Sequence, residues 1–381
     1  MAFLPTLITA RAAVAAFAAM GVLWGTFAAA LPDLKTMLGV DEARLGLLML
    51  SAPVCAVAAM LLAPGTGAAL GRVALPACAM AMALAFALPG QSATLWQFSL
   101  AIGLCGAATG TLDVLMNARV AALENERGLH LMNLCHAAYS FGYAGGALAT
   151  GAMRAAEWPP GAVMSVAALA AGLLALATWE RDGRIHGLTR PKGTSHVPLG
   201  LLPVIGGGIV MIAFLTENAA ENWSALHIEQ TLGGSPAEGA MGPAALALTM
   251  GIARLAGQGL LSRIDALWLL RGGAVIAGAG AAIAALATSP AMAYAGFIVM
   301  GIGSSVIAPT AFSLVGRAAP AEARARAVAR ATLLGYFGYF FGPPMLGFLA
   351  AAFGLRAAFG FAALALLAVI ALTAALARMR D

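Results

Sequence analysis

The chain has 381 residues, 61% of them hydrophobic and only 10% charged, with a mean hydropathy of +0.90 and a formal net charge of +5. A water-soluble domain carries charge on about a quarter of its residues, so this composition excludes a soluble protein and makes lipid the main solvent.

About 20 apolar residues cross the hydrocarbon core of a bilayer. By that measure the sequence divides into twelve helical spans, at 10–31, 45–63, 70–89, 95–118, 129–151 and 160–179, then at 199–223, 241–261, 267–287, 291–314, 327–350 and 354–377. The expected fold is therefore all-α and polytopic. The opening "MAFLPTLITAR" lacks a charged region ahead of a short apolar core, so the first span reads as a retained helix rather than a cleaved leader.

Span one contains Trp24 and runs into "LPDLKTMLG" at 31–39. Arg72 stands in the connection between spans two and three. Span four carries "ATGTLDVLMNARV", in which Asp113 and Asn117 are one helical turn apart. An unpaired carboxylate in lipid costs several kcal/mol, a penalty removed by a water-filled cavity or a bound proton, so Asp113 is a candidate proton-coupling group. Gly106 and Gly110, then Gly142, Gly145 and Gly146 in span five, give faces on which helices approach closely. In "MNLCHAAYSFGYAGG" the residues Asn133, His136 and Tyr139 fall at intervals of three and form a polar and aromatic stripe suited to a solute.

The longest polar connection, "WERDGRIHGLTRPKGTSHVPLG" at 179–200, reads as a link between two six-helix bundles. The expected organisation is an N-terminal bundle over 1–179, a cytoplasmic linker over 180–198 and a C-terminal bundle over 199–381. Span seven ends in "FLTENAAENWSALHIEQ". Here Glu217 and Glu221 are one turn apart, as are Asn218 and Asn222, with Trp223 as an amphipathic platform. Two carboxylates sharing a cavity can hold one proton between them, which makes both candidates for coupling. Arg254 lies inside span eight. In span eleven, "GYFGYFFGPP" places Pro343 and Pro344 where the backbone ladder is interrupted, a candidate gating bend.

The halves echo one another. "LPDLKTMLG" after span one resembles "LHIEQTLG" after span seven, and the fifth-span stretch resembles "ATLLGYFGYFFGPP" in the eleventh. Parallel repeats are expected where two halves rock around a central site. With the amino terminus in the cytoplasm, sixteen of the 21 basic residues fall on that side and only Lys35, Arg44, Arg154 and Arg356 on the other. That asymmetry supports an even number of spans and cytoplasmic termini.

Cys55, Cys78, Cys105 and Cys135 are widely spaced in apolar stretches and read as small core residues. The sequence holds no clustered metal ligands, no GxxxxGK[ST] phosphate loop and no recognisable nucleophilic triad. No enzyme activity, metal or cofactor is expected, and the arginines carry no nucleic-acid motif. The partners expected are a small organic solute, protons and membrane lipid, with a monomer as the functional unit.

The chain resembles the major facilitator superfamily across nearly its full length, and within it the fucose permease-like branch and related bacterial inner-membrane transporters. The resemblance is carried by "LPDLKTMLGVDEARLGLL", "GTLDVLMNARVAAL", "MNLCHAAYSFG", "AAENWSALHIEQTLG" and "GIGSSVIAPTAFSLVG". It implies a twelve-helix transporter of two pseudo-symmetric bundles, with the fourth-helix carboxylate of fucose-proton symporters matched by Asp113 and their polar fifth-helix positions near Asn133 and His136. The first helix departs from that pattern, with Ala28 where a further carboxylate would stand. The superfamily's loop signature between spans two and three is matched by "PGTGAALGRV", which keeps Gly71 and Arg72 but has Ala68 near the expected aspartate. "RLAGQGLLSR" is its second-half counterpart, with Arg254 as a candidate gate residue.

The expected function is proton-coupled secondary transport of a small organic solute, a sugar or sugar-like compound being favoured by the resemblance. Asp113, Glu217 and Glu221 would carry coupling. Trp24, Asn117, Asn133, His136, Tyr139, Asn222 and Trp223 would contact solute, and Arg72, Arg254, Pro343 and Pro344 would serve the gates. Two alternatives stand beside it: a proton-driven exporter of metabolites or amphipathic drugs, and a receptor or structural membrane protein that moves nothing.

Overall fold

The structure, a computed structural model, describes residues 7–185, 188, 198–257 and 264–378. Among the described residues it forms twelve principal helices: α1 (Arg11–Leu38), α2 (Glu42–Met49 continued by Ser51–Leu70), α3 (Ala74–Phe86), α4 (Leu95–Arg127), α5 (Met132–Ala155), α6 (Pro160–Leu176), α7 (Leu202–Leu226), α8 (Pro236–Gly257), α9 (Ala266–Leu286), α10 (Pro290–Ala318), α11 (Arg324–Phe353) and α12 (Leu355–Ala377). In lipid a helix satisfies its own backbone, which is why no other regular element is needed to cross.

Helix ends are set by local chemistry. Asp41 accepts from the Arg44 N–H at the start of α2, Thr94 and Gln97 form a capping box at α4, and Asp265 and Ser289 cap α9 and α10. The loops after α1 and α7 close alike, with Gly39 at φ 62° and Gly233 at φ 70°, a backbone region that favours glycine.

Nine helical stretches among the described residues are long and apolar enough to cross a membrane, fewer than the twelve spans read from the sequence. The differences have physical reasons. α2 and α3 run together as one apolar stretch, α6 has only 17 residues, and α5 carries the polar stripe and Arg154. Several helices also overrun their apolar spans. α1 continues through Pro32 to Leu38 and α4 extends to Arg127, because polar residues extend a helix freely once it leaves hydrocarbon. Of the expected linker, residues 186–187 and 189–197 lie outside the described residues.

The helices group into two sets of six with matching neighbours. α1 packs on α5 as α7 packs on α11, α2 on α4 as α8 on α10, and α3 on α6 as α9 on α12. Within a half the approach is backbone to backbone. Gly21 and Gly25 of α1 lie against the carbonyls of Tyr139 and Tyr143, and Gly142 and Gly146 of α5 lie against those of Ala18 and Val22, so a Cβ at any of the four would overlap main-chain atoms. Gly145, expected to share this face, points to open space.

Between halves, α5 packs on α8 and α2 on α11, a pairing that the same internal symmetry relates, while α1 meets α7. These contacts concentrate at the end of the molecule opposite the chain termini, here the far end. There Gly46 lies on the Pro343 carbonyl, Gly347 on the Glu42 carbonyl and Gly151 on Ala240. At the termini end, the partly buried pair of Arg119 with Glu180, at 2.9 and 3.1 Å, stays within one half.

Candidate functional site

A cavity of about 440 Å³ lies at mid-depth between the halves, lined by residues of α1, α2, α4, α5, α7, α8, α10 and α11. Of the residues singled out from the sequence, Trp24, Asp113, Asn117, His136, Tyr139, Glu217, Glu221, Asn222, Arg254 and Pro343 line it.

Asp113 is held from both halves. Asn117, one turn on, donates to its backbone carbonyl at 2.9 Å and to its Oδ1 at 3.0 Å, while Tyr336 of α11 donates from Oη to its Oδ2 at 3.3 Å. The polar stripe read in the fifth helix makes no hydrogen bond to Asp113 among the described residues. The hydrogen bond instead comes from α11, within "GYFGYFFGPP", the stretch recognised as the echo of the fifth.

Glu217 faces Arg254 Nη2 at 3.9 Å, and Arg254 donates from Nη1 to Ser140 of α5 at 3.3 Å. Arg254, anticipated at a gate, is thus a cavity residue that reaches across the halves. Among the described residues Glu221 makes no hydrogen bond. Asn218 and Ser304 also line the cavity, and although they are only 6% and 4% exposed, Asn218 Oδ1 and Ser304 Oγ find no partner among the described residues.

Aromatic side chains make the rest of the wall. Trp24 donates from Nε1 to Thr109 at 3.2 Å and meets Phe86 and Phe27 edge-on at 5.0 and 5.6 Å, so its ring is fixed. Phe17 meets the His136 ring at 5.0 Å, and Phe214 stacks on Tyr339 at 4.7 Å. Tyr139 lies within electrostatic range of Glu221, Glu217, Arg254 and Asp113, at the centre of the polar set.

Four of the residues singled out lie outside the cavity wall. Trp223 is fully buried in the packing of α7, with no partner for its Nε1 among the described residues. Asn133, near the start of α5, is half-buried. Arg72 lies over the Trp179 ring at 5.9 Å, within its own half. Pro344 sits on an apolar outer face with Phe341 and Phe348. α11 runs through both prolines without a break, and the Pro343 carbonyl supports Gly46 at the far-end contact.

The sequence reading missed a second charged centre, at the far end. The Arg154 side chain is 2% exposed and uses all five of its N–H donors. Nε and Nη2 donate to the two oxygens of Asp33 at 2.8 and 2.6 Å, Nη1 and Nη2 to those of Glu229 at 2.7 and 2.9 Å, and Nη1 to the Ala29 carbonyl at 2.8 Å. Asp33 lies in the last turns of α1 and Glu229 follows α7, so this guanidinium ties the two halves. Lys35 adds a second tie, pairing with Glu42 and donating to Gln230 at 3.1 Å. The signal was present in the echo of "LPDLKTMLG" by "LHIEQTLG", since each stretch supplies one of the two carboxylates.

Comparison with known proteins gives the same architecture. Residues 205–381 match the model of the Major Facilitator Superfamily. An MFS-type transporter of Yersinia pestis, named as uncharacterised, is 31% identical over 345 residues, covering 88% of this chain and 87% of the relative. The membrane protein MosC of Rhizobium meliloti is 27% identical over 346 residues, covering 88% and 82%. Among solved structures, the nucleoside transporter NupG superimposes with a TM-score of 0.75 at 13% identity, covering 97% and 98% of the two chains. A D-xylose-proton symporter superimposes with a TM-score of 0.71 at 16% identity, covering 97% of each. At these identities the structural likeness speaks to the fold alone.

Proposed function

The chain belongs to the major facilitator superfamily, and from that premise we propose that it is a proton-coupled secondary transporter moving a small polar organic solute by alternating access, with Asp113 as the proton-sensitive group. The observation that carries this reading is the hydrogen bond from Tyr336 to Asp113, which joins α11 to α4 inside a cavity walled by both halves. Protonating Asp113 replaces a bond to a charged acceptor with a weaker bond to a neutral one and so changes how strongly the halves hold together at the solute. The groups facing Asp113 are Asn117 on its own helix, Tyr139 on α5 and Tyr336 on α11.

The far-end ties and the termini-end pairing within one half describe the state closed at the far end. With the termini in the cytoplasm of a bacterial inner membrane, this is the inward-facing state, and the protein acts as a monomer. Hydroxyl-rich, sugar-like solutes suit a wall of tyrosines, asparagines and a fixed tryptophan, and symport is the coupling mode of this reading.

The test is flux into proteoliposomes of purified protein, with a broad solute panel and imposed pH gradients. An inward proton gradient is expected to drive solute accumulation in the wild type. In Asp113→Asn that accumulation is lost while downhill exchange of the same solute persists. Accumulation by Asp113→Asn at the wild-type level would remove Asp113 from the coupling step.

A further inference from the structure

Three carboxylates line the cavity, Asp113 on α4 with Glu217 and Glu221 on α7, and among the described lining residues Arg254 is the one guanidinium or ammonium. Arg254 faces Glu217, and Asp113 is supplied with donors by Asn117 and Tyr336. Glu221 is left in the wall with no hydrogen bond among the described residues, one turn from Glu217. A carboxylate withdrawn from bulk water is stabilised by a bound proton or by a paired, hydrogen-bonded donor, so this position offers an open acceptor to a donor, best a cationic one, that enters the cavity.

A second observation points the same way. Asn218 and Ser304, each more than nine-tenths buried, line the same cavity, and their Oδ1 and Oγ atoms lack hydrogen-bond partners among the described residues. These two oxygens add acceptor capacity to the wall beside Glu221. An anionic solute would add to the negative charge of the three carboxylates, whereas a cationic group on the solute would supply Glu221 with a counter-charge without a further proton. The rings of Tyr139, Phe214 and Tyr339 add π-faces that attract a cation.

We propose that the solute carries a protonated amine, held by Glu221 with Asn218 and Ser304 as further acceptors. This rests on the transport reading above and deepens it. Two of the three carboxylates then have separate tasks, Asp113 responding to the proton and Glu221 binding the solute's ammonium, while Glu217 is held by Arg254.

The experiment compares two matched pairs, glucosamine against glucose and tyramine against tyrosol, by quenching of tryptophan fluorescence in the purified transporter. Glucuronate is the anionic control, and the same solutes are followed in proteoliposome flux. At least one amine is expected to bind at least tenfold more tightly than its hydroxyl partner. Glu221→Gln should abolish that preference, and Glu221→Asp, which keeps the charge, should retain part of it. Asp113→Asn should lose the response to a pH gradient. Size-exclusion and thermal-unfolding profiles establish that each variant is folded. Binding by neither amine, equal affinity within both pairs, preference for a hydroxyl partner or for glucuronate, or an amine preference that survives Glu221→Gln overturns the proposal. Proton-driven flux of a neutral solute that depends on Asp113 would leave the transport reading standing without this one. Amine binding that depends on Glu221 without proton-driven flux would do the reverse.

Discussion

At the far end of the molecule one guanidinium meets two carboxylates and a carbonyl, and every N–H of Arg154 is used at 2.6–2.9 Å. In the central cavity three carboxylates share one guanidinium, whose contact with Glu217 is 3.9 Å and whose nearest reach across the halves is 3.3 Å to a hydroxyl. Both regions bury charge between the same two halves. In the first every donor of the guanidinium is used; in the second, among the described residues, Glu221 has no hydrogen bond, which is what the proposed binding of a solute there requires. A transporter needs both, a closure strong enough to seal one side and a site poor enough in internal partners to prefer a solute.

The comparison can be broken most severely at the hub. Arg154→Ala leaves Asp33 and Glu229 facing each other with no counter-charge, and removing one partner of a buried ion pair costs about 3–5 kcal/mol. The far-end closure is expected to open, read as loss of crosslinking between cysteines placed on the far-end segments of α2 and α11 away from the glycine contacts, and as a reduced transport rate. Arg154→Lys should rescue only in part, because an ammonium cannot span two carboxylates with planar, paired hydrogen bonds.

A comparable loss is expected from Gly25→Val, which drives a branched side chain into the Tyr143 carbonyl. Here the damage is to packing within one half, so folded yield and thermal stability should fall rather than the balance between conformations. At the cavity the expected effects are smaller in stability and larger in function. Tyr336→Phe removes one hydrogen bond to Asp113, worth about 0.5–1.5 kcal/mol. It should shift the pH dependence of flux while leaving thermal stability close to wild type. Gly145→Ala is the baseline, since a Cβ there meets nothing; stability and flux should both stay at wild-type values, the former within about 0.5 kcal/mol.

Several features of the site are legible in the order of the residues alone. Asp113 and Asn117 stand one turn apart on a helix, so their hydrogen bond follows from spacing. The placement of His136, Tyr139, Glu217, Glu221 and Asn222 in the cavity wall follows from the cost of polar groups in lipid, which drives them toward the interior. The same argument does not separate the cavity from a buried helix contact, which is why Trp223, read as a cavity platform, stands packed inside α7's surroundings. Asn133 and Tyr139 share a helix face, yet only Tyr139 lines the cavity, because the cavity is shorter than the helix.

The sequence by itself determined the solvent, the number of traversing helices and the doubling of the halves, because apolar length and repetition are properties of consecutive residues. Which charges meet was decided only in the tertiary structure. Arg154 finds its partners 121 and 75 residues away, and Asp113 finds Tyr336 at a separation of 223. In one dimension Arg154 is a single basic residue on the side where few occur, and no periodicity ties it to Asp33 or Glu229. Folding brings the two echoing stretches to the same end, and there the internal symmetry that is readable as a repeat becomes a shared ion pair.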